Sequence, residues 1–375
     1  MALSSPLQST LLRYQREIDA ALRQAVLSVG DEAIQSGAEG LQSFYGQIQY
    51  HLGWVDRDFA PAHTNPGKLL RPTMLLLAYE AAGAWGQLPT TSGDTSYLQR
   101  ALPAAAAVEL THNFTLIHDD IEDHDTERRH RATLWNIWGV PQAINTGDGL
   151  FALSRYTLWG VLEAGVEGDI AARLGRALDY ACLVLAEGQH LDMSFEQLLH
   201  IPVSSYIDMI SRKTGALMRC AAEMGAMLGT RDVEIIQRLR SFGWAMGIAF
   251  QIRDDILGVW ASTAELGKTP AGDIYRRKKS LPILHALEHA TPTDQAYLRD
   301  LYSQEAPLTA TQVEDILHIF ERAGTRSYCR AFLSEHCQHA HEALAQVPHN
   351  NNAISTRALH DMAAMVEFVE EAAKS

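Results

Sequence analysis

Two carboxylates one helical turn apart are the first side chains in this sequence that could carry out chemistry. Asp119 and Asp123 lie in a helical stretch that begins near Pro103, and they share one face of that helix. Like charges at this spacing repel each other unless a cation lies between them, and Mg²⁺ prefers carboxylate oxygens, water and substrate phosphates. The whole run reads His118-Asp119-Asp120-Ile121-Glu122-Asp123. On its own this run is equally typical of a solvated acidic surface, so a companion site is required.

A second carboxylate pair supplies that companion. Asp254 and Asp255 lie in an otherwise apolar helical run, where adjacent charges are costly without a counter-ion. Two acidic sites of this kind predict a metal cluster that faces a phosphate-bearing ligand. Such a ligand also needs cations, and basic residues are present at five places: Lys68 with Arg71, Arg128-Arg129-His130-Arg131, Arg212-Lys213, Lys268, and Arg276-Arg277-Lys278-Lys279.

The elements that must position these side chains are helices. Apolar residues recur at spacings of three and four, which is the helical period, in Leu191, Phe195, Leu198 and Leu199 and again in Val313, Ile316, Leu317 and Phe320. Alternating β-branched runs bounded by Asn-Gly or Asp-Gly turns are missing from the sequence. Each break in the pattern is short and leads into another apolar helix. We therefore predict an all-α fold, with one helical domain over residues 1–375.

Composition narrows the class of partners. The chain has 375 residues, with 31 Lys and Arg against 45 Asp and Glu, and the net charge of −14 argues against nucleic acids and anionic membranes as partners. No apolar stretch reaches the roughly 20 residues that a membrane span needs. The four cysteines form no Cys-x-x-Cys pair, and no secretory leader precedes them. We expect a soluble protein of the reducing cytoplasm.

Several motifs together resemble a known family. The first acidic run is followed by Arg128-Arg129, and the other motifs are Gly67-Lys68-Leu69-Leu70-Arg71-Pro72, Lys213-Thr214 and Phe250-Gln251-x-x-Asp254-Asp255. In order and spacing this set resembles the signature of trans-isoprenyl diphosphate synthases, over residues 67–282. The resemblance implies a single helical domain around a deep apolar cavity, with the two acidic motifs facing each other at its mouth. It also implies a homodimer and Mg²⁺ as cofactor, with about three ions per active site.

The resemblance assigns roles to individual residues. Positions that hold isopentenyl diphosphate are matched by Lys68, Arg71, His112 and Arg129. Positions that bind the allylic diphosphate are matched by Arg128, Lys213, Thr214, Gln251 and Lys268. Lys278 is a weaker match, because Arg277 stands where a glycine normally precedes the lysine. Positions of direct Mg²⁺ ligands are matched by Asp119, Asp123 and Asp254. Asp120 and Asp255 are expected to support these ligands without binding the metal directly. The predicted catalytic set is these five aspartates and Lys213.

The second acidic motif departs from the family pattern at one position. An aspartate usually lies four residues after the first one, and Gly258 occupies that place here. One carboxylate is lost, but Asp254 keeps the principal ligand position. We therefore expect activity to survive, and we expect Gly258→Asp to change turnover only mildly.

The residues before the first motif bear on product length. Phe114 lies five residues before Asp119, Thr115 follows it, and the motif carries no two-residue insertion. Both side chains are expected to point along the cavity below the metal site, where an aromatic ring can act as a floor. In the family this pattern is compatible with a C20 product, geranylgeranyl diphosphate. A C15 farnesyl product or a longer chain also remains open.

The resemblance therefore predicts a prenyltransferase that condenses isopentenyl diphosphate with an allylic diphosphate, and two other readings stay open. A class I terpene cyclase or squalene-synthase-like enzyme fits Asp119-x-x-Glu122-Asp123, although such enzymes do not need the Lys68 and Arg71 site. A regulatory subunit of a heteromeric synthase is the other. Such subunits tend to lose the metal-binding aspartates, which this chain retains.

Overall fold

The computed structural model describes residues 5–371, except for 36, 38–39, 63, 65–66, 90–93, 197, 199–200, 262–270 and 349–351. The predicted ligand Lys268 therefore lies outside the described residues. The first helices are α1 Ser5–Gln35, α2 Leu41–His51, α3 Leu70–Ala81, α4 Leu102–Glu122, α5 Leu134–Trp138, α6 Val140–Trp159, α7 Gly168–Glu196 and α8 Val203–Ile210. The remaining ones are α9 Ala216–Gly229, α10 Val233–Trp260, α11 Gly272–Tyr275, α12 Leu281–His289, α13 Pro292–Ser303, α14 Ala310–Arg322, α15 Thr325–Ala345 and α16 Ala353–Glu371.

Shorter elements join these helices. Two 3₁₀ turns cover Ala84–Gly86 and Ser96–Arg100, and a π-helical turn at Ser211–Gly215 connects α8 to α9. The all-α prediction is confirmed. The sequence did not predict one small hairpin, in which β1 (Glu127–Arg128) pairs antiparallel with β2 (Arg131–Ala132).

The hairpin turn was missed because its central residues are not ordinary turn formers. Arg129 and His130 both have positive φ angles, of 54° and 62°. A two-residue hairpin turn of this kind requires positive φ at both positions, and Asn or Gly normally supplies it. The backbone is therefore strained at the two residues that follow Arg128. Strain of this kind is retained most often at functional sites.

The core is built around α3 and its neighbours. α3 packs against α9, α9 packs against α10, and α10 packs against α15. Almost every residue of α3 is buried, because this helix is enclosed on several sides and is apolar around most of its circumference. α4 packs against α6, and its first half is a buried run of alanines with Val108. These contacts fix the C-terminal ends of α4 and α10 relative to each other, and both acidic motifs lie near those ends.

A buried carboxylate ties the flanking helices to the motif-bearing core. Glu80 of α3 is fully buried and accepts hydrogen bonds from the hydroxyls of Tyr14 in α1, at 2.9 Å, and of Tyr97, at 2.6 Å. Arg357 of α16 donates to it at 3.4 Å. The regions outside residues 67–282 are thus anchored to the central helix. Within the described ranges, none of the helices combines the length and apolarity that crossing a membrane demands.

Candidate active site

A cavity of about 490 Å³ lies between α4, α7, α9 and α10. Its lining includes ten of the side chains that the sequence predicted: Arg71, His112, Phe114, Thr115, Asp119, Arg128, Lys213, Thr214, Gln251 and Asp254. Apolar side chains such as Leu185 and Leu217 complete the wall. The cavity thus combines carboxylates and cations with an apolar surface, which is the arrangement expected of a site for an amphipathic anion.

Arg128 of the hairpin contacts both adjacent aspartates of the first acidic motif. The Nε of Arg128 donates to Asp120 at 2.6 Å, and its Nη2 lies 3.3 Å from Asp119 Oδ2. Asp120 is almost completely buried, and burial raises its pKa to about 6. Asp119 faces the cavity, whereas Asp120 lies behind it and anchors Arg128. The adjacent carboxylates therefore have different surroundings, as expected if one binds a ligand and the other supports it.

Asp123 lies near three other carboxylates, those of Asp119, Asp192 and Asp125. Burial, followed by the nearby carboxylate of Asp119, raises the pKa of Asp123 to about 7, although the charge of Lys213 acts in the opposite direction. A cation between Asp119 and Asp123 would relieve this repulsion. Among the described residues, no three His, Cys, Asp or Glu side chains converge as a complete metal site.

Lys213 reaches the first motif from the π-helical turn. Its Nζ lies 2.6 Å from Asp192 Oδ2 and 3.0 Å from Asp119 Oδ1. Burial lowers the pKa of Lys213, but Asp119 and Asp192 outweigh it and hold the pKa above its ordinary value, so the side chain is cationic. A glycine makes this approach possible, because a Cβ at Gly188 of α7 would lie 2.3 Å from the backbone nitrogen of Lys213. Irregular π-turns of this kind occur frequently at functional sites.

Sequence reasoning missed two side chains of α7 at this site. Asp192 pairs with Lys213, and Gln189 donates through Nε2 to Glu122 Oε2 at 2.6 Å. One signal could have revealed them, namely Gly188 in the middle of a long helical pattern with polar residues directly after it. A glycine in a helix interior costs stability and often marks a close backbone contact.

The two carboxylates of the second motif point into different environments. The side chain of Asp254 is 64% exposed and lines the cavity. Asp255 is fully buried, accepts hydrogen bonds from Tyr206 and from Gln251 Nε2 at 3.1 Å, and accepts another from the Leu281 amide at 3.2 Å. Burial raises the pKa of Asp255 above its usual value.

A short hydrogen-bond chain leads from the cavity to this buried carboxylate. The hydroxyl of Thr214 donates to Gln251 Oε1 at 3.1 Å, and Gln251 in turn donates to Asp255. Both Thr214 and Gln251 line the cavity, where the sequence predicted them. The chain fixes the rotamer of Gln251 and connects the π-helical turn to α10.

Basic side chains gather beside the start of α3. Arg71 Nη1 donates to His112 Nε2 at 3.1 Å. Burial, together with the charges of Arg71 and Arg129, lowers the pKa of His112 well below its ordinary value, so the imidazole is neutral and can accept this bond. The guanidinium of Arg129 packs against Gly67, where a Cβ would lie 2.7 Å from Nη2, and Lys68 next to it is exposed. Arg129 thus lies against the residue that precedes Lys68, just before α3 begins.

Lys278 lies behind the second motif. Its Nζ is 3.9 Å from Asp255 Oδ1 and 4.0 Å from Asp273 Oδ2. Arg277 has a φ of 51°, a left-handed conformation that explains why glycine suits this position. Here the arginine side chain holds the turn instead, because it donates to the backbone carbonyls of Leu301, at 2.8 Å, and Ala306.

The apolar wall of the cavity contains both predicted chain-length residues. The Phe114 ring meets the Phe151 ring edge-on, with centroids 5.1 Å apart. Thr115 donates its hydroxyl to the carbonyl of His112 at 2.8 Å, which leaves its methyl group free to contact an apolar chain. Phe114 and Thr115 lie on α4 within two turns of Asp119, on the same cavity. Their effect on product length remains a prediction.

Comparison with known proteins identifies the family of this chain. The family model described as polyprenyl synthetase matches residues 54–320. The chain is 38% identical over 312 residues to a geranylgeranyl diphosphate synthase of Mycobacterium tuberculosis, covering 83% of each chain, and 32% identical over 302 residues to a (2E,6E)-farnesyl diphosphate synthase of the same species, covering 80% and 79%. A polyprenyl synthetase structure from Streptomyces coelicolor A3(2) superposes with a TM-score of 0.78 at 32% identity, covering 94% and 99%. The protein therefore belongs to the polyprenyl synthetase family, whose enzymes are prenyltransferases.

Proposed function

We propose that this chain condenses isopentenyl diphosphate with an allylic diphosphate and releases geranylgeranyl diphosphate. The observation that carries the proposal is the shared cavity, in which Asp119, Lys213 and Asp254 line the same space as Phe114 and Leu217. A diphosphate needs the first kind of surface and a prenyl chain needs the second. A site for a wholly polar ligand would not require the apolar wall.

The metal is part of this proposal. Asp119, Asp123 and Asp254 would hold Mg²⁺, because their oxygens form the donor set that this ion prefers. When bound, Mg²⁺ supplies positive charge that stabilises the diphosphate as it departs from the allylic carbon. Asp120 would keep Arg128 aimed at the site through their 2.6 Å hydrogen bond, and Asp255 would hold Gln251.

The cationic side chains would act on the allylic diphosphate. Lys213 and Arg128 already lie beside Asp119, so they can share the charge of the leaving group as the carbon–oxygen bond breaks. Thr214 would bind its oxygens by redirecting the hydroxyl proton that it donates to Gln251, and Gln251 would use the second proton of its amide. We propose that Lys278 and Lys268 also bind these oxygens. The product of this step is an allylic cation.

The second substrate would bind beside α3. Lys68, Arg71 and Arg129 supply three cations for the diphosphate of isopentenyl diphosphate, and neutral His112 holds Arg71 in orientation. The double bond of this substrate attacks the allylic cation, and a proton is then lost, for which the released diphosphate is the acceptor that we propose. The apolar wall excludes water, which would otherwise capture the cation.

Product length would depend on the wall near Phe114. Removing the ring by Phe114→Ala should deepen the cavity and lengthen the product, while Thr115→Ala, which removes much less volume, should shift the distribution less. Relatives that make geranylgeranyl and farnesyl diphosphate both match the chain, so the C15 product is the second candidate. An unchanged product from Phe114→Ala would eliminate this residue as the floor.

We also propose one domain over residues 1–375 and a homodimer. Large apolar side chains on the outer faces of α6 and α7 are exposed, and they include Ile144, Tyr156, Trp159, Tyr180 and Leu183. Exposed apolar surface of this extent is typical of an interface between chains. Light scattering of the purified chain would measure the assembly directly.

The decisive experiment is a product assay with the full chain. The protein is incubated with Mg²⁺, isopentenyl diphosphate and farnesyl diphosphate, and the dephosphorylated alcohols are separated by chromatography. Geranylgeraniol is the expected product, and the absence of any chain extension would refute the proposal. Hydrocarbon formed without isopentenyl diphosphate would favour the cyclase reading, whereas activity of the chain alone excludes a purely regulatory subunit.

A further inference from the structure

Arg253 is a buried cation that contacts a proposed metal ligand. It directly precedes Asp254 on α10, and its Nη1 donates to Asp254 Oδ1 at 3.3 Å. The side chain of Arg253 is only 3% exposed, whereas the Asp254 carboxylate is largely exposed and lines the cavity. The guanidinium therefore reaches this carboxylate from the protein interior.

The last helix of the chain holds this guanidinium in place. Cζ of Arg253 lies 4.5 Å from the centroid of the Phe368 ring on α16, and this ring is buried. A cation is attracted to the face of an aromatic ring, more strongly where water is excluded. α16 is itself fixed to the core, because the Ser355 hydroxyl donates to the carbonyl of Ala81 in α3 at 3.1 Å. Arg253 would lose this buried contact if it turned towards the cavity.

Arg253 keeps its positive charge in this position. Burial lowers its pKa, but the charges of Asp254 and Glu371 act in the opposite direction. Arginine is effectively always protonated in proteins, so a lowered pKa still leaves the guanidinium charged. Every cation that approaches the Asp254 carboxylate therefore meets a second, fixed cation.

The other cations of the site have direct access to a ligand. Lys213 and Arg128 lie beside the first acidic motif, and the charge of Asp254 acts on Arg71. These three side chains line the cavity, so a diphosphate that enters can contact them and take up their charge. The buried Arg253 is different, because its charge remains directed at Asp254.

We propose that Arg253 is a built-in counter-ion of Asp254 that weakens the binding of Mg²⁺ there in the absence of a diphosphate. Its Nη1 contacts an oxygen of the carboxylate that would bind the ion, and like charges repel each other. Mg²⁺ usually binds through one or two carboxylates together with substrate phosphates, so the ion then depends on the phosphate oxygens. The inference rests on the proposed function, which supplies Asp254 as a metal ligand. Arg253 acts through Asp254 and is not a catalytic residue.

The test measures Mg²⁺ binding by the full chain without any substrate. Arg253→Met removes the charge and keeps an apolar side chain against Phe368, whereas Arg253→Lys keeps the charge. At constant ionic strength, we expect the Mg²⁺ concentration that gives half of the maximal shift in the unfolding midpoint to fall about threefold or more in Arg253→Met. In Arg253→Lys it should stay within about twofold of the unchanged protein. An unchanged or higher concentration in Arg253→Met, or an equal fall in both variants, would overturn the proposal.

Three further variants assign the effect to the pair of charges. In an Asp254→Asn background, Arg253→Met should no longer alter the Mg²⁺ requirement, and an effect that persists there would overturn the proposal. Arg238→Met removes an exposed arginine of the same helix, which pairs with Glu234 at 3.5 Å, and should leave the requirement unaltered. Arg253→Gln is a second neutral variant in case Arg253→Met does not fold, and it should lower the requirement in the same way.

This measurement is independent of prenyl transfer. If the Mg²⁺ requirement responds to the charge of Arg253 in a chain that extends no prenyl substrate, the inference stands and the proposed function fails. If the chain extends prenyl substrates but the Mg²⁺ requirement is the same with and without this charge, the inference fails alone.

Discussion

The two acidic motifs stabilise their adjacent carboxylates in different ways. In the first, Asp119 and Asp120 are balanced by cations that arrive from other elements, Arg128 from the hairpin and Lys213 from the π-helical turn. In the second, the buried Asp255 accepts hydrogen bonds from three uncharged donors, namely a tyrosine hydroxyl, a glutamine amide and a backbone amide, while the cation of Lys278 lies farther away, at 3.9 Å. The first motif therefore depends on charge balance, and the second depends on a buried hydrogen-bond network.

This difference predicts that equivalent substitutions will have different consequences. Loss of charge in the first motif should affect turnover far more than folding, because its partners are already partly exposed. Loss of an acceptor in the second should affect folding as well, because buried donors would be left without a partner.

The largest effect is expected from Asp119→Asn. This change removes the charge that both Arg128 and Lys213 contact, together with a proposed metal ligand, so kcat should fall by roughly 10³-fold. Thermal unfolding should change little. Asp169→Asn, at an exposed carboxylate that pairs with Arg231 far from the cavity, is the control and should leave kcat unaltered. Comparable turnover in the two variants would contradict the assigned role.

The next effect is expected from Gly188→Ala. The added Cβ would lie 2.3 Å from the Lys213 backbone nitrogen, so the π-helical turn must move and carry the ammonium group away from Asp119. We expect kcat to fall by about 10²-fold, since misplacement of a catalytic group by about 1 Å has effects of this size. Gly175→Ala on the same helix controls for the loss of a glycine. Equal kcat values for Gly188→Ala and Gly175→Ala would show that the π-helical turn tolerates displacement.

Asp255→Asn tests the second motif. Three donors point at this carboxylate, and an asparagine amide would present its own donor to one of them, so we expect a loss of about 1–3 kcal/mol in the free energy of unfolding. Turnover should fall only about tenfold, through the displaced Gln251. Chemical denaturation measures the free energy of unfolding. Asp300→Asn is the control, because its exposed carboxylate accepts a hydrogen bond from Gln304 at 2.8 Å, and equal stability losses in the two variants would contradict the network around Asp255.

The smallest effect is expected in the pH dependence of stability. Because the pKa of Asp123 rises from 3.8 to about 7 in the folded chain, its contribution to stability is fully present below pH 3.8 and is lost as pH rises to about 7. Asp123→Asn, which carries no charge at any pH, should lose less stability than the unchanged protein between about pH 5 and 8 in EDTA. Unfolding midpoints of Asp123→Asn and of the unchanged protein, each measured at about pH 5 and about pH 8, give the two losses of stability. Parallel slopes would show that the folded chain does not raise the pKa of Asp123.

Sequence reasoning reached the parts of this site that depend on local spacing. Helical periodicity gave the fold class, and the one-turn spacing of Asp119 and Asp123 gave the first motif. The resemblance added the split between Asp254, which lines the cavity, and Asp255, which is buried behind it. These features follow from which face of one helix a residue occupies.

The features that sequence reasoning missed depend on how distant helices pack. Asp192 meets Lys213 across 21 residues, and Asp273 fills the space at Gly258. Neither pairing follows from a local pattern, because each requires the relative placement of two elements. The sequence shows only that Gly258 lacks a carboxylate, whereas the structure shows that the Asp273 side chain lies where a side chain at this position would begin. The left-handed turns at Arg129 and Arg277 were missed for a related reason, since tertiary contacts stabilise conformations that the residue types disfavour.

The central claim is that carboxylates and cations at one end of an apolar cavity drive prenyl transfer. The most direct test is the initial rate at which labelled isopentenyl diphosphate enters acid-stable prenyl product, measured with farnesyl diphosphate and Mg²⁺ for the unchanged chain and for Asp119→Asn. We expect a C20 product from the unchanged chain, loss of the rate in EDTA, and a rate roughly 10³-fold lower in the variant. Equal incorporation by the two proteins, or none by either, would contradict it.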